Sequence, residues 1–126
     1  MTSQSGIPGS RSVCPIACSL DELGDKWTLL IVRDLMNGKC RFADFGTSPE
    51  RIPTNTRSDR LRRMEANDMI DKVQYASHPP RFEYYLTEKG KALLPVLKEL
   101  RRWANHHVSG ISEPQKTLCS KADKQT

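Results

Sequence analysis

Residues 42–67 read FADFGTSPERIPTNTRSDRLRRMEAN. Phe42 and Phe45, three apart, mark the inward side of a brief helix that stops at Gly46. Thr47-Ser48-Pro49-Glu50-Arg51-Ile52-Pro53 is rich in turn formers and too short for anything but a connection. From Pro53 or Thr54 a second helix runs to Asn67, with Thr54 available as its cap and Leu61 and Met64 facing a core. Two short helices joined by a tight turn, the second basic, form a helix-turn-helix pattern. Residues 51–65 hold five arginines against two acids, which fits either a solvated helix face or a face that attracts phosphate. The side turned away from Leu61 and Met64 carries Asn55, Ser58, Asp59 and Arg62, with Thr54 at the tip. Short hydrogen-bonding side chains there either merely start and solvate the helix or meet base edges in a major groove, with arginine on guanine or phosphate.

The residues C-terminal to this pattern favour the second reading. Residues 70–75 and 82–86 read as strands, the latter with Phe82, Tyr84 and Leu86 alternating along one face. Between them lies Ala76-Ser77-His78-Pro79-Pro80-Arg81, a hairpin tip stiffened by two prolines and carrying a cation. A basic hairpin directly after a helix-turn-helix is a wing. Thr87 then caps a final long helix with Glu88 near its positive end. Leu93, Val96, Leu97, Leu100, Trp103 and Ala104 form its apolar stripe, and Pro95 is expected to kink it. On the N-terminal side, Pro15 opens a short helix through Ile16, Leu20 and Leu23 to Gly24. Asp25 caps a helix over 26–36 whose Trp27, Leu30, Ile31, Val32 and Leu35 crowd more than one face, so it is central and buried. Lys39-Cys40-Arg41 reads as a very short strand.

With 126 residues, 37% of them hydrophobic, and a net charge of +5, the chain fits one domain. The fold class expected is mainly α with a small β-hairpin wing, a winged helix-turn-helix domain over 14–108 between flexible tails at 1–13 and 109–126. No apolar run approaches the ~20 residues of a membrane-spanning helix, so no membrane partner is expected. No secretory signal is visible at the start, and a cytoplasmic location is the expectation. A Gly-rich phosphate loop, HExxH, a serine flanked by glycines and paired carboxylates in an apolar setting are all missing, which argues against an enzyme. His78, His106 and His107 read as solvated. The cysteines are Cys14, Cys18, Cys40 and Cys119. Zinc would need close ligand pairs, and the adjacent His106 and His107 point about 100° apart on a helix. No metal or cofactor is therefore expected; unpaired thiols, one or more of them reactive, are the better reading.

Cys14-Pro15, residues 23–31 (LGDKWTLLI), Arg41-Phe42, Ser48-Pro49-Glu50, Ile52-Pro53-Thr54-Asn55, Arg60-Leu61, residues 79–84 (PPRFEY) and 86–90 (LTEKG) together resemble the HxlR family over roughly 14–107. The resemblance implies a bacterial transcription regulator, a winged helix-turn-helix dimer related to MarR-like proteins. It implies binding to a near-palindromic operator on double-stranded DNA, with recognition helices roughly 34 Å apart. Expected DNA contacts are Thr54, Asn55 and Ser58 at the helix tip, and Arg57, Arg60, Arg62 and Arg63 as backbone attraction, with a structural ion pair as the alternative for Arg60. His78 and Arg81 would approach the minor groove or its phosphates. The family's first and last helices form its dimer interface, which assigns Ile16, Leu20, Leu93, Leu97, Leu100 and Trp103 partly to a second copy; an intramolecular core is the alternative. Cys14 matches a cysteine that senses oxidants or electrophiles in some members, against the alternative of a small buried hydrophobe, so a small-molecule or oxidant effector is a further expected partner. Arg57 departs from the family, which usually has an apolar residue there; it must snorkel outward or find a partner, with a phosphate and a surface ion pair as the two readings. The competing function is a winged-helix protein-interaction module without operator binding.

Overall fold

The computed structural model describes residues 11–112; the remainder of both expected tails, 1–10 and 113–126 with Cys119, lies outside the described residues. The element order is α1 (Pro15–Leu23), α2 (Thr28–Met36), α3 (Phe42–Phe45), α4 (Thr54–Ala66), β1 (Ile70–Ser77), β2 (Pro80–Leu86), α5 (Glu88–Lys91) and α6 (Leu94–His107). It is a mainly helical fold with one antiparallel two-stranded hairpin.

The most apolar helix becomes the centre. Asp25 Oδ2 accepts from the amides of Trp27 and Thr28, both at 2.9 Å, and its Oδ1 from Thr28 Oγ1 at 2.6 Å. The cap therefore holds 25–27 as a turn, and α2 begins at Thr28 instead of Lys26. Ile31 and Val32, adjacent in sequence and about 100° apart, are both fully buried, because other elements cover α2 on more than one side. Gly38, at φ +99°, ends it in the left-handed conformation open to glycine. Around α2 the core gathers Phe45 of α3, Ile52 of the turn, Leu61 and Met64 of α4, Met69 and Ile70 at the start of β1, and Leu97 of α6.

Several local expectations change. Thr54 is the first residue of α4, not its cap; Pro53 stands at the cap position and no side chain fills that role. The hairpin strands extend to Ser77 and Pro80, so the tip shrinks to His78-Pro79, with a register shift between Gln74 and Ala76. The strand expected at 39–41 is a single bridge, Arg41 to Glu83. The long final helix is two helices: Thr87 caps α5 through Gly90 N, and Pro95 sits in the first turn of α6. A proline there needs no amide hydrogen, so it starts a helix and kinks none. Among the described residues, no helix is long and apolar enough to cross a membrane.

Gly90 joins the hairpin to α5 under tight constraint. A Cβ on it would run into the Met69 carbonyl and Leu86 Cδ2, while Thr87 binds the Met69 and Asp68 carbonyls through N at 3.1 Å and Oγ1 at 2.6 Å. Gly90→Ala should lower stability by about 1–3 kcal/mol through overpacking. A urea midpoint equal to that of the parent would refute this tight joint.

Candidate nucleic-acid interface

The turn before α4 is fastened to α2 by polar groups. Asp34, 3% exposed, accepts from Ser48 Oγ at 2.5 Å, and Ser48 Oγ accepts in turn from Lys39 Nζ at 3.0 Å. Arg33 bridges the same carboxylate, through Nη2 at 3.0 Å, and Glu50, through Nη1 at 3.0 Å and Nη2 at 2.8 Å. The Arg33 hydrogen bonds hold the Glu50 carboxyl below its ordinary range. Ile52 plugs the core beneath. Sequence reading took 47–53 as a mere connection and missed Arg33, Asp34 and Ser48; the available signal was an acid inside the most apolar helix, which needs a partner when buried.

Arg57 corrects an expectation. Its Nη1 donates to the Phe42 carbonyl at 3.2 Å and its Nη2 to the Ile52 carbonyl at 3.0 Å, with the guanidinium 4.6 Å from the Phe42 ring centroid. It neither snorkels outward nor pairs with an acid: it clasps α3 and the turn to α4. Gly46 leaves the space, since a Cβ there would collide with Arg57 Nη2. Arg60 is also occupied, by Asp59 at 2.7 Å and by Asp25 at 3.5 Å. Burial alone would raise the Asp25 carboxyl, but the Thr28 side-chain bond, the Trp27 and Thr28 amides and the Arg60 charge carry it below its ordinary value.

The outward face remains. Thr54, Asn55 and Ser58 are exposed along the first half of α4, and Arg62 and Arg63 are exposed further on; Arg62 also reaches Asp59 at 3.1 Å. His78 and Arg81 are exposed at the hairpin. A cleft of about 580 Å³ runs between α3 and the hairpin, lined by Arg41, Ala43, Tyr75, Arg81 and Phe82 among others. Arg41, given no role at the site from sequence, pairs with Glu83 at 2.9 Å and lies 4.0 Å from the Tyr75 ring centroid. It ties the wing to the start of α3.

The apolar residues assigned to a second copy divide. Leu97 is 8% exposed within the core and Leu93 packs half-buried against it, so both contribute to the intramolecular core. Ile16 is 71% and Trp103 61% exposed, and Leu20 and Leu100 are exposed as well. Cys14 is exposed at the N-cap of α1, not a buried hydrophobe. The Ala17 and Ile16 amides lower its pKa, as helix N-termini do for thiols. Cys40 is the reverse case: burial, with the Glu83 and Asp44 charges, raises its thiol pKa.

Residues 22–112 match the family model described as HxlR-like helix-turn-helix. An uncharacterized HTH-type transcriptional regulator of Methanothermobacter thermautotrophicus is 34% identical over 97 residues, 77% of this chain and 74% of the relative. Among solved structures, the redox regulator HypR in its oxidized form aligns with a TM-score of 0.68 at 30% identity, covering 77% of this chain and 100% of that one. The reduced form of the transcriptional regulator YodB from B. subtilis aligns with a TM-score of 0.64 at 29% identity, covering 80% and 100%.

If the Arg57 clasp holds the turn, Arg57→Ala should cost about 1–3 kcal/mol of stability, since charged hydrogen bonds to two carbonyls are lost. Arg62→Ala should stay within about 0.5 kcal/mol of the parent. Equal denaturation midpoints for the two variants would contradict the clasp.

Proposed function

Since the chain belongs to the HxlR-like helix-turn-helix family, and is a transcriptional regulator of the helix-turn-helix type and not an enzyme, we propose that it binds a near-palindromic operator as a homodimer. The domain that does so spans 14–108 and acts on chromosomal DNA, hence in the cytoplasm. One observation carries the reading: Thr54, Asn55 and Ser58 stand exposed on the outward side of a helix whose start is clamped from beneath. Asn55 pairs with adenine, Thr54 and Ser58 with base edges or phosphate, and Arg62, Arg63, Arg81 and His78 supply backbone attraction. Arg57 and Arg60, spent inside the protein, position the helix and do not touch DNA.

A second copy fits the exposed apolar residues of α1 and α6. Single exposed apolar side chains need no explanation, but Pro95, Val96, Leu100 and Trp103 border one apolar surface, and contiguous patches mark interfaces. Cys14 is the residue through which oxidants act on the regulator. Its exposure, its amide-stabilised thiolate and the likeness to a redox regulator support that role.

The test is capture of genomic fragments by the purified protein at two salt concentrations, with and without diamide. A salt-sensitive inverted repeat whose recovery changes with diamide is expected. No enriched sequence at low salt in either redox state would refute operator binding and favour a protein partner. On the recovered site, Asn55→Ala should relax specificity, whereas Arg81→Ala should weaken all sequences and flatten the salt slope by about one; identical losses on cognate and random DNA for both would contradict this division. Trp103→Glu should shift the protein to monomer in sedimentation and weaken operator binding at least about tenfold, because two half-sites are then no longer linked. A Trp103→Glu dimer of parental strength would remove α6 from the interface.

A further inference from the structure

The hairpin is fixed to the body of the protein at its base and bends at a bulge. At the base, Tyr84 N donates to the Cys40 carbonyl at 2.8 Å, and Arg41 and Glu83 form a backbone bridge. Toward the tip, Gln74 pairs with Phe82 but Ala76 with Arg81, so Tyr75 is an extra residue on β1 with no counterpart in the register. Such a bulge bends its strand and re-aims the side chain it carries. The Tyr75 ring meets the Arg41 guanidinium, which lies 4.0 Å from its centroid, while Gln74 Nε2 donates across the bulge to the Ala76 carbonyl at 2.9 Å. Glu83 Oε2 accepts from Arg41 Nε at 3.0 Å and Nη2 at 2.9 Å, and Glu83 Oε1 accepts from the Tyr85 hydroxyl at 2.7 Å. Both carboxylate oxygens are thus engaged, one on Arg41 and one on the strand that carries Glu83. Arg81 is the first residue of β2 on the tip side of the bulge, and it is exposed.

We propose that Arg41, Glu83 and Tyr75 lock the bulge and so aim the hairpin tip, which makes them positioning residues through which Arg81 reaches a DNA phosphate. The proposal rests on the operator-binding reading and deepens it. A two-stranded ribbon has little stiffness of its own, and Ser77, His78 and Pro79 at the tip are exposed, so the tip takes its direction from the bulge. A guanidinium stacked on an aromatic ring and hydrogen-bonded to a carboxylate holds one geometry. Arg41 is also the N-cap residue of α3, and the carbonyl of the next residue, Phe42, accepts from Arg57 of α4 at 3.2 Å. Residues 41 and 42 therefore tie the wing and the reading helix to one short segment and set each relative to the other. Charge supports the same role. A carboxylate two residues from Arg81 repels phosphate and weakens a DNA-facing hairpin unless it serves another purpose. Holding Arg41 over the bulge is that purpose, and it leaves Arg81 as the cation that meets the backbone.

The test has one arm without DNA and one with it, each on the full chain with variants shown to be folded by circular dichroism. Without DNA, Arg41→Ala and Glu83→Ala should each speed amide hydrogen exchange over residues 74–77 at least about threefold, because local opening no longer breaks the ion pair and the ring contact. Exchange equal to that of the parent would overturn the lock. With a random-sequence duplex titrated over a range of salt, Arg81→Ala should flatten the salt slope by about one. Glu83→Ala removes a negative charge, yet it should weaken binding at least about threefold and flatten the slope by about one as well. Asp71→Ala, the same change of charge on β1 outside the lock, should not weaken binding. Adding Arg81→Ala to Glu83→Ala or to Arg41→Ala should cost little more, since the contact is already lost. Glu83→Gln keeps the shape of the side chain and should give the same ordering if Glu83→Ala does not fold. Tighter binding by the Glu83 variants, or losses that simply add in the double variants, would overturn the positioning role; additive losses would make Arg41 a phosphate ligand in its own right. Exchange that responds as expected in a protein whose DNA binding ignores Arg81 would remove the wing from the operator reading and reduce the lock to a structural joint.

Discussion

The hydrogen bond between Asp34 and Ser48 is the constraint on which the DNA-facing half of the fold depends. A carboxylate 3% exposed is costly unless paired and hydrogen-bonded, and here Ser48 Oγ and Arg33 supply the partners while Glu50 completes the Arg33 fork. The network joins the C-terminal half of α2, the most buried helix, to the turn that aims α4. Apolar contacts alone leave a short helix free to slide or roll on its neighbours. A buried polar network has one satisfied geometry, and a slide of the turn would strand a carboxylate in the core.

Charge is divided accordingly. The basic run of α4 divides by helix side: Arg57 turns to the Phe42 and Ile52 carbonyls and Arg60 to Asp59 and Asp25, while Arg62 and Arg63 face solvent. The inward cations hold the helix in place and the outward ones give it a field. Net charge over 51–65 does not say where a phosphate would meet it, because Arg57 and Arg60 are half-buried against the protein while Arg62 and Arg63 lie on the exposed side.

Much of this was legible in the sequence, because periodicity and turn chemistry act over a few residues. The buried α2, the helix-turn-helix and the hairpin follow from Ile31, Val32, Phe45, Leu61 and Met64 and from the Gly and Pro positions. What was missed turns on partners distant in sequence. Pro95 reads as a kink within one long helix, and the turn at 92–93 that separates α5 from α6 makes it a start instead. Arg57 on an amphipathic helix reads as snorkelling; only the backbone carbonyls of Phe42 and Ile52, positioned by the tertiary fold, draw it inward. The stripe of α6 reads as one surface, although Leu93 and Leu97 reach the core while Leu100 and Trp103 run past its edge. Asn55, Ser58 and Arg81 were legible as candidates because exposure on a known helix side follows from spacing alone.

The helix α1 packs lightly against the rest of the fold. It contributes no buried residue and is held by the half-buried Leu23 and by exposed pairs such as Lys89 with Glu22 at 3.1 Å, which contribute little. Elements with few buried contacts open at low free-energy cost. Cys14 stands at the N-cap of this helix and Ile16 and Leu20 are exposed along it, so under the proposed reading a change at that thiol acts on the same backbone segment that carries those apolar residues. The clamp between α2 and the turn before α4 stays outside that change. Under the proposed dimer, the spacing of the two domains would change while each keeps its own reading helix intact.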